Sequence, residues 1–299
     1  KLQVSIEYSD NDKDTKRDAI EQFLKDAKNH FNKKDDNEII CKILKSGYWS
    51  TLSKLPKRNM DTIYLEKNEK EKIINDIETF KESKEIYNEL GIPWKRNYLL
   101  EGPPGTGKSS LIFALASKFN MNIHIINLGP KVDDSTFMSA VSSLPRNTIL
   151  LLEDIDALFV ERKANDSNKS MVSFSGILNV LDGMGRKNGL VTFMTTNYIN
   201  RLDSAMIRPS RVDVIMKFKE ATKDQIESMF YKFFPNRNDF NKLYKKMEYI
   251  KCSICAIQKF FMHIKFNSGS EDQVLEIKLL KEIVDQMENK SKSPSNLYI

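Results

Sequence analysis

The sequence predicts an α/β fold: a parallel five-stranded sheet with flanking helices, preceded by a small α+β region and followed by a helical domain. Three observations predict it. Five short runs, Asn97–Glu101, Met121–Asn127, Thr148–Leu152, Leu190–Thr196 and Val212–Phe218, alternate with segments of helical periodicity. Four of them are continuously apolar, as strands covered on both faces of a parallel sheet are. The first runs directly into a glycine-rich loop and then an Ala/Leu-rich segment, Ser109–Phe119. Met121–Asn127 mixes Asn with Ile and is placed nearer an edge of the sheet.

Taken in order, residues 1–60 form the first region. Leu2–Tyr8 alternates like a strand, and Asp14–Phe31 places Ile20, Leu24, Ala27 and Phe31 along one side of a helix. Ile39–Leu44 is a second strand, and Tyr48-Trp49 leads into a basic linker, Lys54–Asn59. Residues 61–219 hold the strand–helix alternation. Ile73, Ile74, Ile77 and Phe80 share a helical face, which Gly91 and Pro93 terminate. A loop, Arg162–Met171, precedes a helix carrying Phe174, Ile177, Leu178 and Leu181. Residues 220–299 read as helices only. Thr222 and Gln225 fit a capping box ahead of Ile226, Met229, Phe230 and Phe233, and Lys290–Asn296 reads as a frayed tail.

Composition narrows the function classes. The 299 residues suffice for one large domain and smaller ones, with 40% hydrophobic and 29% charged residues, an ordinary soluble balance. The net charge of +6 is spread through mixed Lys/Glu stretches, which describes a solvated surface rather than a nucleic-acid stripe. Cys41, Cys252 and Cys255 are too few for a disulfide framework and indicate a reducing compartment. Cys252-x-x-Cys255 has no second Cys pair, and the histidines are His30, His124 and His263. It reads as two small apolar residues on a helix with Ile254, Ile257, Phe261 and Ile264. No apolar run is long enough to span a bilayer.

The chemistry begins at residues 102–110, GPPGTGKSS, a complete G-x-x-x-x-G-K-S/T loop. Gly102, Pro103, Pro104, Gly105, Thr106, Gly107, Lys108, Ser109 and Ser110 form a backbone cradle for a polyphosphate. Lys108 reaches the terminal phosphates, and the Ser109 hydroxyl can bind Mg²⁺. The flanking strand and helix are the context such a loop requires, and the helix N-terminus adds N–H donors and partial positive charge. Thr148–Leu152 then ends in Glu153-Asp154-Ile155-Asp156. Carboxylates at the C-terminal end of a buried strand lie where open α/β sheets bind ligands. Neighbouring residues project to opposite sides, so one carboxylate approaches the metal and the other polarises a water. Asn197 ends the next strand and can hold that water. Arg208 and Arg211, around Pro209, are candidate arginine fingers, groups able to raise phosphoryl-transfer rates by roughly 10³–10⁵.

These motifs together resemble the AAA ATPases over residues 61–260. LLLEDIDALF is similar to their second nucleotide motif, and TTNYINRLDSAMIRPSRVD to their second region of homology, with Asn197 at the sensor position and Arg208 and Arg211 at the finger positions. A narrower resemblance lies in Gly91-Ile-Pro-Trp-Lys-Arg-Asn-Tyr-Leu-Leu100, the glutamate-first Leu-Glu-Asp-Ile-Asp, Phe174–Gly183 and Phe193-Met-Thr-Thr-Asn197. It is to the mitochondrial AAA chaperones that translocate the Rieske iron–sulfur protein during respiratory complex III assembly. Residues 1–60 resemble the end of that family's middle domain.

The resemblance implies ATP and Mg²⁺ as cofactors and a homo-oligomeric ring, heptameric in known members. It also implies a membrane helix ahead of Lys1, a location in the mitochondrial inner membrane, and a folded client. It gives Glu153 the metal role beside Ser109 and Asp154 the water-activating role, where most AAA proteins read Asp-Glu. Ser210 replaces the usual glycine between the arginines. The loop after Asn127 lacks the aromatic grip of unfolding motors, which favours a folded client over a threaded chain. A nucleic-acid-remodelling AAA+ ATPase is the alternative reading; only the net charge speaks for it.

Overall fold

The structure, a computed structural model, describes residues 18, 20–26, 37–128, 132–157, 172–182, 188–266 and 273–292. The chain divides into two compact units, Lys1–Glu38 and Ile39–Ile299. Within the first, residues 20–26 are helical and exposed, and Gln22 Nε2 donates to Asp26 Oδ1 at 3.0 Å. The predicted strand Leu2–Tyr8 and most of the predicted helix Asp14–Phe31 lie outside the described residues.

The second unit is built on a seven-stranded sheet: β1 (Glu38–Lys45), β2 (Tyr48–Pro56), β3 (Lys95–Glu101), β4 (Asn122–Ile126), β5 (Thr148–Leu152), β6 (Leu190–Thr196) and β7 (Val214–Lys217). Their order is β2-β1-β4-β5-β6-β3-β7, and every pairing from β1 to β7 is parallel. The helices are α1 (Glu69–Glu82), α2 (Lys84–Glu89), α3 (Lys108–Lys118), α4 (Asp134–Ser142), α5 (Phe174–Asp182), α6 (Lys223–Phe233), α7 (Phe240–Met247), α8 (Ile254–Phe266) and α9 (Gln273–Lys292).

The five strands expected from apolar runs are all present, and two more extend the sheet. The expected strand Ile39–Leu44 lies within β1, and residues 38–56, expected in a separate region, form a hairpin that joins this sheet. Ser46 (φ 50°) and Gly47 (φ 84°) make its two-residue turn, the positive-φ pair that matches strand twist. β1 pairs with β4 in register Cys41↔Ile123, so β4 lies inside the sheet rather than near its edge. The expected linker Lys54–Asn59 begins within β2. Trp49 anchors the hairpin: its Nε1 donates to the Ala140 carbonyl (3.3 Å) and Ser143 Oγ (3.2 Å).

Period-2 alternation sorts each central strand onto two cores. Tyr98, Leu100, Ile123, Ile149, Leu151 and Phe193 pack with α1 and α3 on one face. Leu99, Ile126, Leu150, Leu152 and Met194 pack with α4 and α5 on the other. A third core, centred on Phe230, Phe240, Phe260 and Phe261, holds the C-terminal helices together. The Thr222/Gln225 capping box opens α6 as expected, and α9 continues to Lys292, into the stretch expected to fray. Gln225 Nε2 also donates to the Tyr64 carbonyl at 3.1 Å, tying α6 to the segment that borders the site. Among the described residues no helix is long and apolar enough to cross a membrane.

Candidate nucleotide site

The C-terminal ends of β3, β5 and β6 meet at one cleft of about 390 Å³. Its floor is the glycine loop, which leaves β3 and enters α3. Two glycines make that path possible. Gly102 (φ +142°) passes so close to β7 that a Cβ would sit 2.1 Å from the Phe218 carbonyl oxygen. Gly107 (φ +104°) turns the chain into α3 in a conformation L-residues rarely adopt. Thr106 Oγ1 donates to the Pro103 carbonyl at 2.8 Å and braces the loop from within.

Lys108 opens α3 and folds over this loop. Its Nζ donates to the carbonyls of Gly102 (2.6 Å) and Pro103 (3.0 Å) and to Asn197 Oδ1 (2.9 Å). Burial lowers its pKa, while the nearby Asp154 and Asp156 charges pull it back up. Ser109 Oγ donates to Glu153 Oε1 at 3.1 Å, so the hydroxyl and carboxylate expected to share a metal stand side by side. Burial raises the Glu153 pKa; the Ser109 hydrogen bond opposes the rise and the Asp154 charge adds to it.

Glu153 and Asp154 point apart for a backbone reason. Asp154 lies in the left-handed region (φ 47°), held there by its N–H to Thr195 Oγ1 at 2.9 Å. Its side chain opens at the cleft mouth and accepts from Asn197 Nδ2 at 3.2 Å. Although that side chain is solvent-exposed, the surrounding protein mass raises its pKa, as does Asp156; Lys108 and Asn197 oppose the shift. Asn197 thus links Lys108 to Asp154 through the two ends of one amide.

Sequence reasoning left Asp156 without a role. It is buried, and its Oδ1 accepts from Thr196 Oγ1 (2.8 Å) and from the Asn197 N–H (3.1 Å), which fixes the amide. Cys255 also differs from expectation. Cys252 is buried in the turn ahead of α8, but Cys255 is exposed, lines the cleft and donates its N–H to the Gly105 carbonyl at 2.9 Å. Ile63, Tyr64, Leu65 and Ile254 supply apolar lining to the cleft, and Arg58 and Gln258 also line it.

Arg208 and Arg211 do not line this cleft. Arg208 is exposed, whereas Arg211 forms a bidentate pair with Asp182 at 2.8 and 2.9 Å. Among the described residues no group of three or more His, Cys, Asp or Glu side chains is arranged to hold a metal ion by itself. Mg²⁺ brought by a nucleotide would need only Ser109 and Glu153 from the protein to hold it. A positive-φ glycine cradle, a buried lysine and this Ser–Glu pair fit a Mg²⁺-bound nucleoside triphosphate.

Residues 98–220 match the family model described as the ATPase family associated with various cellular activities (AAA). The chain is 34% identical, over an alignment of 286 residues, to a probable mitochondrial chaperone, BCS1-B, of Dictyostelium discoideum; this covers 85% of the chain and 62% of that relative. It is 31% identical over 277 residues to the mitochondrial chaperone BCS1 of Danio rerio, covering 88% and 66% respectively. Against the mitochondrial chaperone BCS1 of Homo sapiens it is 36% identical over 188 residues, covering 60% and 45%. The chain therefore spans about half to two thirds of these relatives' length.

Proposed function

The chain belongs to the AAA family, and from that premise we propose that it is a ring-forming ATPase that moves a folded protein client across or into a membrane. One observation carries the ATPase part: the chain of hydrogen bonds Lys108–Asn197–Asp154 beside the Ser109–Glu153 pair. It gathers at one set of strand ends a cation suited to phosphate, an amide, a carboxylate held by that amide, and a hydroxyl–carboxylate pair suited to a metal ion.

ATP would be held with its phosphates along Gly102–Ser110 and its base toward the apolar lining. Mg²⁺, held by Ser109 and Glu153, would neutralise phosphate charge. Lys108 Nζ leaves the loop carbonyls to bind the terminal phosphate oxygens. Asn197 orients the attacking water through its amide. Asp154 accepts the water's proton at a carboxylate oxygen, beside the Asn197 amide that its Oδ1 already meets. Arg208 serves the site of a neighbouring subunit, where its guanidinium offsets charge on the transferring phosphoryl group. Residues 61–219 serve as the large ATPase domain and 220–299 as its lid, with the 38–56 hairpin extending the large domain's sheet.

The relatives' names describe mitochondrial chaperones and support a mitochondrial location; the client, the ring and the membrane segment rest on the likeness of the motifs to the chaperones that translocate the Rieske iron–sulfur protein. By that likeness the ring is heptameric, sits in the mitochondrial inner membrane through a segment ahead of Lys1, and handles the Rieske iron–sulfur protein for complex III assembly. The loop after Asn127, without an aromatic grip, supports a folded client.

Asp154→Asn tests the ATPase reading. It should bind ATP as the wild type does, by fluorescent-nucleotide titration, while turnover falls by about 10²–10⁴. Unchanged turnover removes Asp154 as the base. Mixing Asp154→Asn with Arg208→Ala subunits should rebuild some complete sites and recover activity. A mixture no more active than either variant rules out fingers acting in trans.

A further inference from the structure

The segment carrying the two arginines, residues 205–213, is fastened to β3 and to the end of α5. Arg211 Nε and Nη2 donate to the two Asp182 oxygens, and Nη1 donates to the Ala205 carbonyl at 2.7 Å. Lys95 Nζ donates to the carbonyls of Leu181 (2.6 Å) and Ser210 (2.7 Å). Asn97, fully buried in β3, donates from Nδ2 to the Arg211 carbonyl at 2.6 Å and from its N–H to Asp213 Oδ2 at 2.7 Å. The Asp213 N–H returns to the Asn97 carbonyl at 2.9 Å.

This geometry separates the two arginines. All three nitrogens of the Arg211 guanidinium are engaged inside its own subunit, and its side chain is 16% exposed. To reach a phosphate it would have to break a bidentate carboxylate pair, among the strongest of protein hydrogen-bonded contacts. Arg208 is exposed and has no side-chain hydrogen bond or ion pair among the described residues. Its carbonyl accepts from the N–H groups of Arg211 (2.8 Å) and Val212 (3.0 Å), so it rides on the turn that Arg211 anchors.

We infer that Arg211 is a positioning residue: its pair with Asp182 holds the 205–213 turn so that Arg208 alone is presented to a neighbouring subunit's phosphates. The inference rests on the inter-subunit ATPase reading above and departs from it in giving the two arginines different work. It also gives Asp182 a part in hydrolysis through Arg211.

The test uses the whole protein with Asp182→Ala, Arg211→Ala, Arg208→Ala and the Asp182/Arg211 double variant. ATPase rates and amide hydrogen exchange across residues 205–213 are both read. Asp182→Ala should lose turnover to within about threefold of Arg211→Ala, and the double variant should be no worse, because the two act as one unit. Exchange at the Arg211, Val212 and Asp213 amides should accelerate by roughly tenfold in both. Arg208→Ala should lose turnover with exchange unchanged. Wild-type turnover in Asp182→Ala beside loss in Arg211→Ala would make Arg211 a phosphate-contacting finger and overturn the inference. If Arg211→Ala does not fold, the exchanged pair Asp182→Arg with Arg211→Asp decides: the inference requires recovery over either single change. If the wild type hydrolyses no ATP, the ATPase reading fails by itself, and unchanged exchange in Asp182→Ala still overturns the brace.

Discussion

Replacing Asp156 with alanine should cost about 2–6 kcal/mol of stability and most of the turnover, although Asp156 is placed in no direct contact with the nucleotide. The magnitude follows from what it holds. Its Oδ1 accepts from the Thr196 hydroxyl at 2.8 Å and from the Asn197 N–H at 3.1 Å. Thr196 is fully buried and Asp156 is 6% exposed, so water cannot readily replace the lost acceptor. Each buried donor left unpaired costs about 1–3 kcal/mol, which sets the range. The Arg201 contact to Asp156, at 4.0 Å from a half-exposed guanidinium, adds little. Freed from its carboxylate, the Asn197 backbone shifts, and a displacement of order 1 Å near the reacting atoms costs about 10²-fold in rate. Asp156→Asn is the internal control. It can keep an acceptor oxygen in place, so it should lose less than about 1.5 kcal/mol and retain most of the rate. Urea unfolding at neutral pH and steady-state ATPase assays give both numbers. If Asp156→Ala unfolds within about 0.5 kcal/mol of the wild type, or if Asn and Ala behave alike, the assignment of Asp156 as the anchor of Asn197 is wrong.

Two further predictions concern the sheet and the loop. His124 is buried beside Trp49, neither ring nitrogen has a partner among the described residues, and burial, aided by the Lys42 charge, lowers its pKa from 6.5 to about 4. The unfolded chain therefore binds the proton first: the neutral ring's contribution is intact above pH 6.5 and is lost as pH falls through about 4, by about 3 kcal/mol in all. His124→Phe should flatten that acid limb in urea midpoints taken from pH 7.5 down to 4, and a variant falling as steeply as the wild type would contradict it. Gly102→Ala should cost about 2–5 kcal/mol and abolish nucleotide binding, because it meets the Phe218 carbonyl as well as backbone strain. Gly107→Ala, with open space around its Cβ, should cost only about 1–3 kcal/mol; melting curves in the reverse order would exclude this account.

Legibility in this sequence followed the range of the interactions. The central strands β3, β5 and β6 were readable because burial on both faces writes a nearly unbroken apolar run. The hairpin was misjudged because β2 is an edge strand, and Lys54 and Pro56 are residues that edges tolerate but that also mark linkers. That error displaced β4, whose Asn122 looked like an edge signal; its Oδ1 in fact accepts from the Ile40 N–H at 3.1 Å. In the site, the meeting of the loop, Glu153, Asp154 and Asn197 in one cleft was legible because each closely follows a strand end. Arg211 was not separable from Arg208, since its partner Asp182 lies 29 residues earlier with no spacing rule to connect them.

The glutamate-first order of Glu153-Asp154 has a local physical basis. Asp154 occupies φ 47°, ahead of the turn that carries Ile155 back to the Thr195 carbonyl at 3.0 Å. Asp and Asn enter the left-handed region several-fold more readily than most residues, because their short polar side chains bond locally. Glu, a methylene longer, lacks that advantage. Position 154 therefore favours the shorter acid on backbone grounds before any chemistry is considered. The longer acid at 153 spans from the strand end to Ser109 Oγ. The shortened reach of Asp154 is met from the other side, where Asn197 extends its amide to 3.2 Å from the carboxylate while gripping Lys108. Exchanging the two acids would thus strain the backbone at 154 and shorten the arm at 153 at once, so the turn favours this order whatever the pair binds.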